Sequence, residues 1–363
     1  VVRRFTGETF RSLPPMIADS LPDMFGNIIF KEWMESANKD YAKISVLEQL
    51  AYVSNRGMGA LEYRPEIRIP KGSTININEI VDVVKQVLIT KEETYSESLD
   101  HQSLLNVFKI GSSAGGARPK ILIAENKKSG KIYPGDVYYG KEFNSYLVKL
   151  NLADVPYDRE VIEYCYYLTA KKIGITMMDS KLVDGKHFAT LRFDRRHGLK
   201  QHVLTACGMT GWDFKDPSVS SYENLFDLAL FLNLPHAQIE QLFLRMIFNV
   251  VFCNSDDHLK NHSFIYDPQK DLWALAPSYD LTYSLNPLIN FSKVNRALSI
   301  NGKRTDITFD DVQEVANTYT IKRMRAAIQK VQDAIPFWLE DAKSLGIPQQ
   351  IIARIKEDFI RLI

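Results

Sequence analysis

The sequence predicts an α+β fold with two lobes, because the pattern of its apolar residues changes near residue 207. Before that point, short β-rich runs such as 120–124, 145–150 and 188–193 alternate with turn residues. After it, apolar residues recur every three or four positions, as in 222–232 and 237–251. We therefore expect a mixed α/β N-terminal lobe and an all-α C-terminal lobe.

Further elements are predicted within the C-terminal part. The runs 263–266 and 272–275 flank the turn residues 267–270 and predict a β-hairpin. Thr308, followed by Asp311, predicts the start of a helix. The amphipathic stretches that continue the helical pattern to the end are 312–319, 324–335 and 351–363.

Composition is that of a globular chain in a reducing compartment. The 363 residues are 45% hydrophobic and 25% charged, which is ordinary usage. Cys165, Cys207 and Cys253 are far apart and lack zinc spacing, which argues against a disulfide framework. The net charge of +1 gives no sequence-wide case for binding nucleic acid. No apolar run reaches the ~20 residues of a membrane span, so a cytoplasmic protein without a membrane partner is expected.

The strongest chemical signal lies at residues 254–261. Asp256 and Asn261 are five residues apart in a polar break between two hydrophobic runs. This is the spacing of the protein-kinase catalytic loop, in which the Asp accepts the substrate hydroxyl proton and the Asn holds Mg²⁺. Asp280 comes nineteen residues after Asn261, where another metal-binding Asp of a kinase belongs. The predicted hairpin would return Asp280 to the side of Asn261.

Two features of the N-terminal half could contact phosphate groups. The glycine-rich residues 111–120 run into a predicted strand, and small residues let backbone N–H groups approach phosphate oxygens. The Walker pattern is absent, since no Ser or Thr follows Lys120, and a flexible turn is the alternative interpretation. Lys149 ends an apolar strand-like run, and Glu163 in the next amphipathic segment could be its carboxylate partner. A surface lysine lying over apolar neighbours is the alternative there.

Together these segments resemble the HipA family, the serine/threonine kinase toxins of bacterial toxin–antitoxin modules. The resemblance covers nearly the whole chain. Residues 254–264 are similar to the family's catalytic loop and 277–280 to its metal-binding motif. Residues 192–195 are similar to its interlobe motif, and 17–23 and 56–61 look like its N-terminal region. The resemblance implies a two-lobed protein-kinase-like fold and an ATP- and Mg²⁺-dependent kinase.

The resemblance also implies a role for each matching residue. Asp256 would be the catalytic base, and Asn261 and Asp280 would be the Mg²⁺ ligands. The residues expected to contact the nucleotide are Lys149, Phe193, which would meet adenine, His258, Ser113, Ala114, Gly115 and Tyr279. The residues expected to support the nucleotide contacts are Glu163, Arg118 and Lys120. Autophosphorylation maps onto Ser113, with Ser112 as the alternative, and a phosphate there would repel the nucleotide phosphates.

The same resemblance implies the partners and the division of the chain. A helix-turn-helix, HipB-like antitoxin is expected, with DNA contacted only through or alongside it. An aminoacyl-tRNA synthetase is the expected protein substrate. The predicted segments are an N-terminal region at 1–105, a nucleotide-binding part at 106–207 and the helical lobe at 208–363. The family's first β-rich subdomain is not found before residue 13, so a trimmed chain or a separate small HipS-like subunit is predicted.

Two alternative functions follow from the same residues. A metal-dependent hydrolase could use His258 and His262, four residues apart, with Asp256 and Asp280 as carboxylate ligands. Asn261 and Lys149 would then have no role. A non-catalytic, nucleotide-binding regulator that acts with a DNA-binding antitoxin is the other alternative.

Overall fold

The structure is a computed structural model that describes residues 5–66, 74–90, 101–111, 116–136, 139–196, 199–291 and 294–363. Its α-helices are α1 (Pro15–Ala18), α2 (Met24–Ser36), α3 (Val46–Val53), α4 (Ile77–Thr90), α5 (His101–Gly111), α6 (Arg159–Lys172), α7 (Ala206–Thr210), α8 (Tyr222–Phe231), α9 (His236–Val251), α10 (Phe309–Thr318), α11 (Met324–Gln332), α12 (Ile335–Ser344) and α13 (Gln349–Glu357). Its strands are β1 (Lys120–Asn126), β2 (Ile132–Pro134), β3 (Phe143–Lys149), β4 (Ser180–Val183), β5 (His187–Leu191), β6 (Arg195–Arg196), β7 (Leu199–Lys200), β8 (His202–Thr205), β9 (Ser263–Asp267) and β10 (Leu272–Leu275).

These elements form two compact units. The sheet unit comprises Ile17–Asp154 and Asp179–Val203, and the helical unit comprises Val1–Met16, Val155–Met178 and Leu204–Ile363. The chain therefore enters the helical unit for the last time at Leu204, close to the change of pattern at residue 207. Both units are discontinuous in sequence, whereas the predicted segments 1–105, 106–207 and 208–363 are continuous, so that division stays a prediction.

The sheet unit is built on a five-stranded sheet with the order β2-β1-β3-β5-β4, in which every neighbouring pair is antiparallel. The first five residues of β1 are buried, which explains its continuous apolar run. The register sets Lys120 of β1 opposite Lys149 of β3. Side chains opposite each other in an antiparallel pair share a face of the sheet, so these two lysines lie on the same face.

Helices α2, α3 and α5 contribute an aromatic cluster to the core of the sheet unit. Trp33 and Phe108 stack with ring centroids 4.2 Å apart, and Phe30 meets Tyr52 edge-on at 5.0 Å. These residues join the core cluster that includes Ile121 and other residues of β1 and β3. Truncating a buried aromatic such as Phe108 to Ala costs about 3–5 kcal/mol in comparable cores. The cluster therefore fixes the helices that precede the glycine-rich residues.

The core of the helical unit surrounds Tyr166 of α6 and Trp338 of α12. Their rings meet edge-on at 5.9 Å, and both side chains are fully buried. The Tyr166 hydroxyl donates a 2.7 Å hydrogen bond to the carbonyl of Phe252, just after α9. Helix α10 starts at a reciprocal cap between Thr308 and Asp311, as the sequence predicts. These contacts fix the C-terminal end of α9.

Most of the predicted elements are confirmed with shifts of a few residues. The three predicted strands are β1, β3 and β5, the hairpin is β9 and β10, and 222–232, 237–251 and 312–319 are α8, α9 and α10. Helix α13 ends at Glu357 and not at residue 363, and α12 lies outside the predicted stretches. The C-terminal part is thus helical except for its hairpin. Among the described residues, none of the helices combines the length and apolarity that crossing a bilayer requires.

Candidate active site

Helix α9 is followed by a polar loop, residues 254–262. The helix ends at Val251, and Cys253 then adopts a left-handed conformation with a φ of 55°. The backbone N–H of Asn254 donates a 2.9 Å hydrogen bond to the carbonyl of Asn249, which closes the end of the helix. A 3₁₀ turn, Leu259–Asn261, precedes β9. The polar loop therefore starts from a fixed point in the core of the helical unit.

Two adjacent carboxylates of this loop lie in opposite environments. The side chain of Asp256 is 70% exposed. That of Asp257 is 1% exposed. The backbone thus turns one carboxylate toward solvent and places the other in the interior. Only the first is accessible to another molecule.

Asp257 is held by three donors from two separate segments. Its Oδ2 accepts hydrogen bonds of 2.7 Å from the Arg296 guanidinium and of 2.7 Å from the Tyr222 hydroxyl. Its Oδ1 accepts a 3.4 Å bond from the backbone N–H of Leu298. Asn249 donates to the Tyr222 oxygen at 2.9 Å, which extends the network into α9. A buried charge is tolerated when it is paired and hydrogen-bonded in this way.

The hairpin returns Asp280 to the polar loop, as the sequence predicts. The Asn254 amide donates a 3.0 Å hydrogen bond to Asn249 Oδ1 and a 3.3 Å bond to the carbonyl of Asp280. The neighbouring Tyr279 hydroxyl donates to the carbonyl of Lys260 at 2.7 Å. Asp280 has a φ of 57°, a left-handed conformation that Asp and Asn adopt more readily than other non-glycine residues. The structure therefore brings Asp280 and the loop that carries Asp256 into one hydrogen-bonded assembly.

Asn261 is oriented by the loop itself. Its Nδ2 donates a 2.8 Å hydrogen bond to the backbone carbonyl of Asp256. Engaging the amide nitrogen leaves the amide oxygen as the atom able to bind a cation. His258 lies with Nε2 4.0 Å from Asp256 Oδ1, and its ring packs against Phe214 with centroids 5.1 Å apart. Asp256, His258 and Asn261 thus lie together, as predicted.

His262 does not share the exposure of its neighbours. It is buried, and its Nε2 lies 3.3 Å from the carbonyl of Asp257, so this nitrogen carries the proton. Burial lowers the pKa of His262 to about 4, and it is therefore neutral near pH 7. Within the described part of the chain, no three His, Cys, Asp or Glu side chains form a group that could hold a metal ion. The hydrolase alternative therefore rests on the spacing of His258 and His262 in the sequence.

The sheet unit holds the residues predicted to contact phosphate. Lys120 and Lys149 are both buried. Asp23 accepts a 2.7 Å hydrogen bond from the backbone N–H of Gly116, which has a φ of 100°. This backbone conformation favours glycine, and a Cβ added at Gly116 would lie 2.5 Å from Lys120 Nζ, so the lysine side chain would have to move. Arg118 is half-buried. Ser112, Ser113, Ala114 and Gly115 lie outside the described residues.

Phe193 is flanked by a buried ion network in the sheet unit. Arg192 donates to both oxygens of Asp194, from Nε at 2.9 Å and from Nη2 at 2.7 Å. Arg195 donates to Asp194 Oδ2 at 2.7 Å and to the carbonyl of Gly57 at 3.0 Å. The network therefore fixes the backbone on both sides of Phe193.

Comparison with known proteins identifies the family. A family model described as the HipA-like C-terminal domain matches residues 112–339. This range exceeds half of the chain and includes the polar loop and Asp280. The chain belongs to the HipA family.

One curated relative is the serine/threonine-protein kinase toxin HipA of Shewanella oneidensis MR-1. It is 27% identical over 194 residues, which are 47% of this chain and 42% of the relative. The match therefore spans about two fifths of the length of the curated HipA relative.

Two solved structures are also similar. The Shewanella oneidensis MR-1 HipA structure, solved with HipB and operator DNA, aligns with a TM-score of 0.65 at 17% identity, covering 95% of this chain and 84% of that one. This likeness confirms the predicted HipA-like α+β fold. A Helicobacter pylori proinflammatory kinase, CtkA, aligns with a TM-score of 0.38 at 14% identity, covering 59% of this chain and 86% of that one. That overlap is too low to define a common fold.

The residues that the HipA resemblance singles out are distributed over both units. Asp256, His258, Asn261, Tyr279 and Asp280 come together in the helical unit, where Glu163 is buried in α6. Lys120, Lys149, Arg118 and Phe193 lie in the sheet unit. Their roles, including the pairing of Lys149 with Glu163, stay predictions.

The sequence analysis did not identify the buried residues that support the polar loop. The residues that hold the polar loop through Asp257 are Tyr222, Asn249 and Arg296, and none of these three was predicted to contribute. Asp257 directly follows Asp256 in the sequence, but this adjacency does not indicate which of the two carboxylates is buried. Its partner Arg296 lies 39 residues away, and no local spacing indicates it.

Proposed function

We propose that this HipA-family chain is an ATP- and Mg²⁺-dependent serine/threonine protein kinase and the toxin of a toxin–antitoxin module. One observation carries the proposal. The exposed Asp256, the oriented amide of Asn261 and Asp280 belong to a single hydrogen-bonded assembly in the helical unit. A kinase needs a base, a carboxamide and a second carboxylate in this relationship. The kinase named among the curated relatives supports the same activity.

Each residue has a defined part in the proposed reaction. Asp256 accepts the proton of the attacking serine or threonine hydroxyl and aims that oxygen at the γ-phosphorus of ATP. Lys149 contacts the nucleotide phosphates, and Lys120 adds positive charge beside it. Phe193 contacts adenine, and His258 and Tyr279 border the nucleotide. Catalysis is mainly positioning and electrostatic stabilisation, because the phosphoryl group needs no covalent enzyme intermediate.

The residues present fit a magnesium ion. Mg²⁺ prefers oxygen ligands and is usually bound by one or two carboxylate or amide oxygens together with substrate phosphates. The amide oxygen of Asn261 and the carboxylate of Asp280 would supply such ligands. When bound, Mg²⁺ neutralises charge on the β- and γ-phosphate oxygens. The amide nitrogen of Asn261 is already engaged by the Asp256 carbonyl, so its oxygen needs no reorganisation.

Partners and substrate form the wider part of the proposal. The similar HipA structure was solved with HipB and operator DNA, which supports a helix-turn-helix, HipB-like antitoxin as the partner of this chain. DNA contact would then pass through or alongside that antitoxin. A separate small HipS-like subunit is a further proposed partner. An aminoacyl-tRNA synthetase is the proposed substrate, and Ser113, or alternatively Ser112, is the proposed autophosphorylation site.

The experiment is intact-mass spectrometry of phosphatase-treated protein before and after incubation with Mg-ATP. A gain of one phosphate mass, located by peptide mapping on Ser113 or Ser112, is the expected result. Asp256→Asn removes the base while keeping the side-chain size, and it should bind ATP without gaining the phosphate. Asp267→Asn, in the hairpin turn, is the matched control and should behave like the parent. ATP binding without any transfer to the chain or to a synthetase would favour the non-catalytic regulator.

A further inference from the structure

A buried ion pair holds the backbone of the polar loop in place. Asp257 and Arg296 form it at 2.7 Å, with side chains that are 1% and 5% exposed. Neither residue is part of the proposed reacting site. Asp257 lies directly after Asp256 in the chain. It therefore acts on the base through one peptide unit.

Arg296 does more than neutralise Asp257. Its Nη2 also donates a 2.9 Å hydrogen bond to the carbonyl of Asn254, and its Nη1 donates a 3.3 Å bond to the carbonyl of Asn249. The next residue, Ala297, donates its backbone N–H to the carbonyl of Ser255 at 2.8 Å. One guanidinium group therefore contacts the end of α9, the start of the loop and the residue after Asp256.

The segment that carries Arg296 is itself fixed. The Arg304 guanidinium donates to the carbonyls of Arg296 and Ala297, and its other nitrogen donates to the carbonyl of Ser220 at 2.8 Å. Ser220 lies just before α8, whose first residue is Tyr222. Tyr222 in turn donates to Asp257. The support of the loop is therefore a closed ring of contacts within the helical unit.

We propose that Asp257 and Arg296 are a positioning pair that sets the orientation of the Asp256 carboxylate, an inference that rests on the proposed kinase function. The Asp256 side chain is 70% exposed, so burial does not hold it, and the position from which it projects is set by its backbone. A misplacement of about 1 Å far from the reacting atoms can lower a rate by about 10²-fold. The pair restricts the backbone on both sides of Asp256, through the Asn254 carbonyl before it and through Asp257 after it.

Stability alone does not require a charged pair at this place. A buried ion pair can often be replaced by apolar side chains of similar volume without loss of stability. Arginine is needed because its planar group reaches two carbonyls and a carboxylate at once. The double variant Asp257→Leu/Arg296→Met separates stabilisation of the fold from positioning of Asp256. It removes both charges together and leaves no charged side chain of the pair without its partner.

The test measures phosphoryl transfer, ATP binding and thermal unfolding of the full chain for the parent and the double variant. We expect kcat to fall at least 30-fold, the KM for ATP to stay within twofold, and the melting temperature to stay close to that of the parent. Arg296→Lys keeps the charge but not the three simultaneous bonds, and its kcat should be intermediate. Lys303→Met, which removes an ion pair with Asp311 elsewhere in this unit, should keep kcat within twofold.

A second measurement keeps the inference independent of kinase activity. Hydrogen exchange of the amides at 254–261 should be faster in the double variant than in the parent and unchanged in Lys303→Met. If the parent transfers no phosphoryl group, the proposed function fails, but faster exchange in the double variant still supports the positioning role. Parental kcat in the double variant, or parental exchange at these amides, would overturn the positioning role itself.

Discussion

Asp194 accepts a 2.9 Å hydrogen bond from the backbone N–H of Gly59, which lies 135 residues earlier in the chain. The arginines on either side of Phe193 also bond this carboxylate. The residues 56–61, which resemble the HipA N-terminal region, and the residues 192–195, which resemble its interlobe motif, are therefore two halves of one buried network. Among the described residues, Asp194 forms ion pairs with both Arg192 and Arg195.

Removing the Asp194 carboxylate should destabilise the sheet unit. Asp194→Ala leaves Arg192 and Arg195 without their shared counter-ion, and breaking a buried pair costs about 3–5 kcal/mol. We expect the melting temperature to fall by at least ~5 °C, measured by differential scanning calorimetry. Glu62→Gln, which removes a half-exposed partner of Lys200, is the control and should cost at most about 1 kcal/mol. Equal melting temperatures for Asp194→Ala and Glu62→Gln would contradict the importance of the network.

Acid should destabilise the fold through two buried histidines. Burial lowers the pKa of His187 and of His262 to about 4. Unfolded histidines bind protons below about pH 6.5. The folded rings bind them only near pH 4, so their contribution to stability is complete above about pH 6.5 and is lost as the pH falls toward 4.

Urea unfolding at several pH values measures this effect. The free energy of unfolding should fall between pH ~6.5 and ~4 with a slope of at most about 2.7 kcal/mol per pH unit for two protons. His187→Leu should remove about half of the slope. His236→Gln changes a half-exposed ring and should leave the slope unchanged. A parental stability that is flat over this interval would show that the buried rings do not remain neutral.

The cysteines should be unreactive in the folded protein. Cys165, Cys207 and Cys253 are all buried, and burial raises the pKa of the Cys253 thiol to about 11. The thiolate is the reactive form, so alkylation should require unfolding. Iodoacetamide followed by intact-mass analysis should add no label to the native chain and three labels in guanidinium. Rapid labelling of the native chain at Cys253 would mean that the end of α9 opens readily.

Asp280→Asn should weaken metal binding and leave the stability of the fold nearly unchanged. Asn also adopts left-handed backbone conformations, so the φ of 57° is kept and stability should change by less than about 1 kcal/mol. The lost carboxylate charge should weaken Mg²⁺-dependent ATP binding and lower phosphoryl transfer by about 10²-fold or more. Calorimetric titration of ATP with and without Mg²⁺ measures the first effect. Unchanged Mg²⁺ dependence would remove Asp280 from the proposed ligands.

The local sequence pattern predicted most of the helices and strands, and it predicted the exposed residues of the candidate site. The runs of β1 and β3 are apolar over most of their length, and the turn between β9 and β10 has the Asp-Pro composition of a hairpin turn, so each could be recognised within ten residues. Helix α12 lies outside the predicted stretches, and Pro336 stands in its first turn. A proline is in fact well tolerated in the first turn.

The buried half could not be predicted, because its partners are distant in the chain. Asp257 pairs with a residue 39 positions later, and Gly59 with one 135 positions later. Such pairs depend on how the helices and the sheet pack, and no spacing in the sequence encodes that. His262 shows the same limit. Its position four residues after His258 indicates a metal site, whereas burial among Tyr222 and Asp257 makes it a neutral core residue.

The side chain of Asn254 limits the substitutions that this chain can accept during evolution. Its single NH₂ group contacts both Asn249 at the end of α9 and the carbonyl of Asp280. A substitution at position 254 would therefore disturb both the end of α9 and the backbone at Asp280 in the same step. A descendant of this chain that changed position 254 would need compensating changes in both places.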